Sequence, residues 1–144
     1  MFSWEHEVYV YHQLKEIQPA PGGSDDVFCT ALDHGEIVCS SLFPRGYILV
    51  LSIVPGEPIS TMWHELSAAQ KIHVRDQCRK AISILRQKGI YIWDTGKRNV
   101  LYERETDTVT LIDFESTAPL PPEGFSVEGP ELYRIFGTEF GITH

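Results

Sequence analysis

Residues Gly89–Glu115 read GIYIWDTGKRNVLYERETDTVTLIDFE. Two short apolar runs, Asn99–Tyr102 and Thr108–Phe114, flank the polar linker Glu103–Asp107. Val109 and Leu111 alternate with Thr108 and Thr110, the period of a strand with one buried face. Asp107 and its polar neighbours suit a turn. The stretch therefore predicts a small hairpin, with Asp94 and Asn99 ahead of it and Asp113 closing it. An Asp and an Asn five residues apart on one loop can point into one pocket, and a second Asp on the following strand can complete a set of oxygen ligands. Ligands of this kind suit magnesium.

The order of Asp, four residues, Asn, hairpin and Ile-Asp-Phe resembles the catalytic loop and metal-binding segment of protein kinases. Asp-Phe-Glu in place of Asp-Phe-Gly resembles the small-molecule and fungal kinase-like branch, near the aminoglycoside and choline phosphotransferases. On that resemblance Asp94 stands at the catalytic base. Asn99 stands at the asparagine that helps hold a second magnesium, and Asp113 at the main magnesium ligand. The implied cofactors are ATP and magnesium. Lys97, three places after Asp94, is either a phosphate contact or a solvated turn lysine, and the second reading is the simpler one.

The 144 residues suffice for one domain, and 42% apolar content suffices for a core. With 12 basic and 20 acidic residues the net charge is −8, which disfavours nucleic acid and anionic membranes as partners. No apolar run is long enough for a membrane span, and the first residues, MFSWEHEVYVYHQ, do not form a signal peptide. Three cysteines, Cys29, Cys39 and Cys78, without a CxxC, fit a reduced, cytoplasmic protein, although two of them could pair.

Ser3–Gln18 reads as a helix with a stripe of Trp4, Val8, Tyr11, Leu14 and Ile17, stopped by Pro19 and Pro21. The resemblance makes it the regulatory helix of a small lobe, with Glu7, or else Glu5, as its glutamate. Val27–Leu32 and Glu36–Ser40 predict a hairpin turning at Asp33-His34-Gly35. Tyr47–Val54, YILVLSIV, has no period and predicts a buried strand. In the resemblance this is the strand leading to the hinge, whose backbone near Ser52 and Val54 faces an adenine ring. Ser60–Lys88 carries the longest helical pattern, with a break at Leu66 and Ser67 as a cap. Its expected stripe is Leu66, Ala69, Ile72 and His73, then Ala81, Ile82 and Leu85, with Gly89 as the stop. His64 and His73 read as surface or stripe-edge residues. Ser116–Pro130 reads as a Pro-rich loop outside the core, and Glu131–Phe136 as a short helix.

The predicted fold is therefore α+β: a reduced protein kinase-like fold with a small antiparallel sheet, a long helix and a catalytic-loop hairpin, forming a single truncated domain over 1–144. Several family features are missing. No Gly-rich loop and no strand lysine precede the first helix, and Ile92 replaces the histidine two places before the base. These features grip and neutralise phosphates or support the loop. The expected function is accordingly a catalytically silent, kinase-like binding or regulatory protein, with a small magnesium-dependent ATP phosphotransferase as the alternative. Self-association or a protein partner is expected, through Trp4, Tyr9, Tyr11 and the Tyr133–Phe136 tail.

Overall fold

A computed structural model describes residues 3–15, 27–37, 46–114, 116–124, 126 and 129–142. In order these form α1 (Ser3–Lys15), β1 (Ala31–Ile37), β2 (Gly46–Leu51), β3 (Glu57–Pro58), α2 (Ala68–Gln87), β4 (Ile90–Ile92), β5 (Val100–Glu103), β6 (Thr108–Leu111), β7 (Thr117–Pro119) and α3 (Pro130–Phe136). Short 3-10 turns follow β3, precede β5 and close the described tail. The strands pair as β1–β2, β3–β5–β6 and β4–β7, all antiparallel.

The central hairpin is as the alternation predicts. Val100 pairs with Leu111 and Tyr102 with Val109, and all four side chains are buried. Asp107 takes a positive φ of 54° at the turn, a region Asp tolerates better than most residues. Its carboxylate accepts a hydrogen bond from the Tyr102 hydroxyl. Burial, and then that bond, push the Tyr102 phenol up to about 12. Gly56, at φ 107°, lets β3 meet β5, because a Cβ there would lie 2.7 Å from the Tyr102 carbonyl carbon.

α2 begins at the predicted cap. Ser67 Oγ accepts from Gln70 N at 3.1 Å and Gln70 Oε1 accepts from Ser67 N at 2.9 Å, a complete capping box. It ends at Gly89 with φ 69°. The buried stripe keeps Ala81, Ile82 and Leu85 of the predicted one and differs from it before them. It runs Val74, Cys78, Ala81, Ile82, Leu85. Ala69 is exposed and Ile72 is 44% exposed, while Leu66 is buried outside the helix. The spacing of 4, 3, 1 and 3 residues from Val74 defines one helix face, and Ile72 lies off it. Cys78 is enclosed, and burial pushes its thiol up to about 12.

Two expectations about the small sheet are corrected. Asp33-His34-Gly35 is not a turn but the middle of β1, pairing with Val50, Leu49 and Ile48. Val27–Cys29 is buried and lies along β6 instead: Phe28 bridges Leu111, and Leu111 N donates to Val27 O at 2.8 Å. The strand expected to be buried over 47–54 ends at Leu51 and is covered on one face only. Leu49 and Leu51 pack inward, while Ile48 and Val50 are 47% and 42% exposed and Ile53 is fully exposed. An apolar run without alternation does not distinguish a strand buried on both faces from one buried on one.

α1 lies against β1 and β2 and buries Val10, Tyr11 and Leu14; Val8 is half-buried. Residues 16–18 of the predicted helix lie outside the described residues, as do the side chain of Trp4 and all of Cys39. Tyr11 and Phe136, read as contact residues, are 1% and 2% exposed and belong to the core, and Tyr133 packs against it. Tyr9 is exposed as expected. The Pro-rich stretch is not wholly outside the core either. Thr117–Pro119 forms β7 on β4, with Thr117 buried. No helix among the described residues is long and apolar enough to cross a membrane.

Candidate functional site

β4 leads directly into the loop 93–99, and a 3-10 turn, Lys97–Asn99, returns the chain into β5. Asn99 is buried, and its Nδ2 points back to the Asp94 carbonyl at 3.5 Å. Asn99 N donates to Gly96 O at 3.0 Å, which closes the loop on itself. Ile112 N donates to Asn99 O at 2.9 Å, so the residue before Asp113 is tied to the same asparagine. The structure thus brings Asp94, Asn99 and Asp113 to one end of the hairpin. The Nδ2 of Asn99 is turned to the Asp94 carbonyl, and Asp113 carries its carboxylate one residue after the Ile112 that bonds Asn99. Among the described residues, no three His, Cys, Asp or Glu side chains gather as a metal cluster.

Asp113 has φ 69°, an uncommon conformation for a residue with a side chain. The turn it makes sends Phe114 into the core, where it is wholly buried. Phe114 N donates to Glu7 Oε1 on α1 at 3.4 Å, so Glu7, rather than Glu5, is the helix acid that reaches this segment. Tyr11, one turn further along α1, packs its ring edge-on against Phe114, centroids 5.1 Å apart. Burial, then the neighbouring Cys29, Glu7 and Asp113, push its phenol far above the usual range. Among the described residues its buried hydroxyl has no oxygen or nitrogen partner and is left with the weak Cys29 sulfur. An unsatisfied buried donor costs about 1–3 kcal/mol. Tyr11→Phe is therefore expected to leave stability unchanged or raise it by up to about 1 kcal/mol. A urea midpoint clearly below that of the wild type would show that the hydroxyl is satisfied after all.

Lys97 meets neither expectation. It is half-buried, its Nζ donates to the Ile135 carbonyl at 2.6 Å, and it lies 5.2 Å from the Trp63 ring and 5.9 Å from that of Phe136. Ile135 is in the last turn of α3, where carbonyls lack helical partners and attract cations. Arg98 turns the other way, with Nη2 2.8 Å from Asp94 Oδ1 in an exposed pair. At the predicted hinge, Ser52 N donates to Thr30 O and Ser52 Oγ accepts from Thr30 N, each at 2.8 Å. Val54 is partly buried against the core. His64 is exposed, and His73 Nε2 contacts the Asp107 carbonyl at 2.7 Å, at the edge of the hairpin.

The loop is braced from below by residues that sequence reading did not single out. Glu131, 1% exposed, pairs bidentately with Arg86 of α2, at 2.6 and 2.5 Å. Its Oε1 also accepts from Ile92 N at 3.4 Å, and its carbonyl accepts from Thr95 Oγ1 at 3.3 Å. Glu131 shares a face with Leu132, Ile135 and Phe136, all buried, and that spacing is the signal in the sequence that it points inward. An apolar cavity of about 250 Å³ between α1 and the β4–β7 pair includes His6, Tyr9, Ile90 and Ala118. It shares no lining residue with Asp94, Asn99 or Asp113.

No protein-family model matches the chain, and no curated protein matches it. Among solved structures, the crystal structure of WbdD is similar, with a TM-score of 0.54 and 21% identity. The match covers 83% of this chain and 24% of WbdD, so the chain spans about a quarter of that protein's length. At this identity the likeness is one of fold. It supports an α+β arrangement of small antiparallel sheets and helices shared with that structure.

Proposed function

We propose that this chain is a catalytically silent kinase-like protein that acts by binding, as one domain over residues 1–144. One observation carries the reading: both cations of the Asp94 loop are already engaged. Lys97 caps α3 beneath two aromatic rings, and Arg98 pairs with Asp94. Phosphoryl transfer depends on positive groups placed where charge develops on the phosphates. A loop whose lysine bonds the end of α3, and whose arginine lies on Asp94, is poorly arranged for it. The reading includes a protein partner or a second copy of the chain, and a cytoplasmic setting.

The second reading is a small magnesium-dependent phosphotransferase. It is favoured by the gathering of Asp94, Asn99 and Asp113 at one end of the hairpin. Asp94 would accept the proton of a substrate hydroxyl, and Asn99 and Asp113 would hold magnesium against the phosphates of ATP. Calorimetric titration with ATP and a non-hydrolysable analogue, with and without magnesium, separates the two. The silent reading expects no binding, or binding weaker than about 1 mM, where the free energy falls to about −4 kcal/mol. Magnesium-dependent micromolar binding, abolished by Asp113→Ala, would replace it with the phosphotransferase reading.

A further inference from the structure

The segment after α3 does more than end the described chain. Glu139 holds the Trp63 indole: Nε1 lies 3.2 Å from both carboxylate oxygens. Phe140 closes the other side, with its ring 6.5 Å from Trp63 and 5.7 Å from Phe136, and Arg75 lies 5.0 Å over it. Trp63 and Phe136 are themselves 5.4 Å apart. Lys97 rests on these two rings. The three aromatic side chains, their anchor Glu139 and the lysine thus form one assembly.

The strap is held under local strain. Phe140 has φ 61°, a left-handed conformation that is an outlier for a bulky residue. It is also 36% exposed, so its burial against Trp63 and Phe136 is incomplete. Its neighbours Gly137 and Gly141 have φ 63° and 71°, which glycine adopts without that cost. The backbone is bent around Phe140 so that its ring reaches the cluster. An aromatic residue kept in an unfavourable conformation by a carboxylate–indole bond and a cation is an arrangement from which the segment can be released.

We propose that residues 137–142 are an autoinhibitory strap, which fixes Trp63 and Phe136 over Lys97 and so keeps the lysine of the Asp94 loop bonded to the end of α3. Release of the strap loosens Trp63 and frees the Lys97 ammonium to meet an anionic, phosphate-bearing ligand beside the loop. What the freed lysine meets rests on the binding function proposed above; its confinement by the strap does not.

The test is lysine acetylation with sulfo-N-hydroxysuccinimidyl acetate, read residue by residue by mass spectrometry, with exposed Lys15 as the internal reference. In the wild-type chain Lys97 is expected to react at least about tenfold more slowly than Lys15, as a hydrogen-bonded, ring-covered amine should. In Glu139→Ala/Phe140→Ala the Lys97 rate is expected to rise at least about fivefold, with the lysines other than Lys71, which lies 5.2 Å over the same Trp63 ring, unchanged. An unchanged Lys97 rate in a folded double variant overturns the proposal. If all lysines react faster together, the variant has unfolded, and Trp63→Phe decides: it keeps a ring but removes the N–H that Glu139 holds. A rise at Lys97 that spares every lysine except Lys71 then supports the strap, and no rise at Lys97 overturns it. Magnesium tripolyphosphate added to the released variant tests ligand binding separately. Slowing of the Lys97 reaction supports phosphate binding beside the loop, and no slowing counts against it while the strap stands.

Discussion

Glu131→Ala is expected to remove about 3–5 kcal/mol of folding stability, a fall in melting temperature on the order of 10 °C for a chain of this size. The side chains of Arg86 and Glu131 are 10% and 1% exposed, so water cannot replace the lost carboxylate. Truncation leaves a guanidinium in the interior that has lost both of its carboxylate bonds, with the Ile90 carbonyl at 3.3 Å and the Tyr91 ring 5.9 Å away. Burial of a charge stripped of its counter-ion is the dominant cost; the pair itself is close to neutral against an apolar replacement. Glu131→Leu combined with Arg86→Met should therefore recover much of the loss, which a merely steric effect at Glu131 would not allow. The same change should also loosen the loop, because Ile92 N loses its acceptor and α3 loses its hold on Thr95. Amide exchange at Ile92–Asn99 is expected to accelerate more than exchange in β5 and β6. A Glu131→Ala protein melting within about 2 °C of the wild type would remove the pair from its anchoring role.

The parts that were legible in the sequence are those where one local rule decides. The hairpin follows from alternation in Thr108–Leu111, the start of α2 from Ser67 with Gln70 three places on, and its end from Gly89. The gathering of Asp94, Asn99 and Asp113 follows from order along that hairpin. Other features depend on partners distant in the chain, and no local pattern carries them. Whether Ile48 and Val50 are covered depends on how many layers flank a two-stranded sheet, which YILVLSIV does not encode. Asp33-His34-Gly35 has turn composition, yet β2 is long enough to pair through it. The role of Lys97 is the clearest case. Its neighbours Asp94 and Arg98 suggest solvent or phosphate, but its contacts come from Trp63, 34 positions earlier, and Ile135, 38 positions later. The electrostatics of the site are thus set by tertiary contacts, and the motif alone gives them the wrong sign of availability.

Phe114→Ala is expected to cost a further large amount, about 3–5 kcal/mol, by leaving a cavity where a wholly buried ring stood. The position matters more than the volume. Phe114 is the point where α1, the Val27–Cys29 segment and the Asp113 turn meet. Its ring lies 5.1 Å from Tyr11 and 5.7 Å from Phe28, both in edge-on or tilted contact. Such aromatic pairs add about 0.5–1.5 kcal/mol each beyond area burial. The burial of this ring one residue later helps offset the left-handed φ of Asp113. Without it, that conformation should relax, the Phe114 N–H should leave Glu7, and α1 should lose its contact with the Asp113 segment. The expected result is therefore twofold: a urea midpoint well below that of the wild type, and faster amide exchange in α1 and at Ile112–Phe114 than in α2. Phe114→Leu separates the two effects, because it refills most of the volume without the ring contacts. It should recover more than half of the stability while α1 stays more exchange-labile than in the wild type. Equal exchange in α1 for both variants and the wild type would show that α1 is held by β1 and β2 alone, and that the Asp113 turn is not coupled to the helix through Phe114.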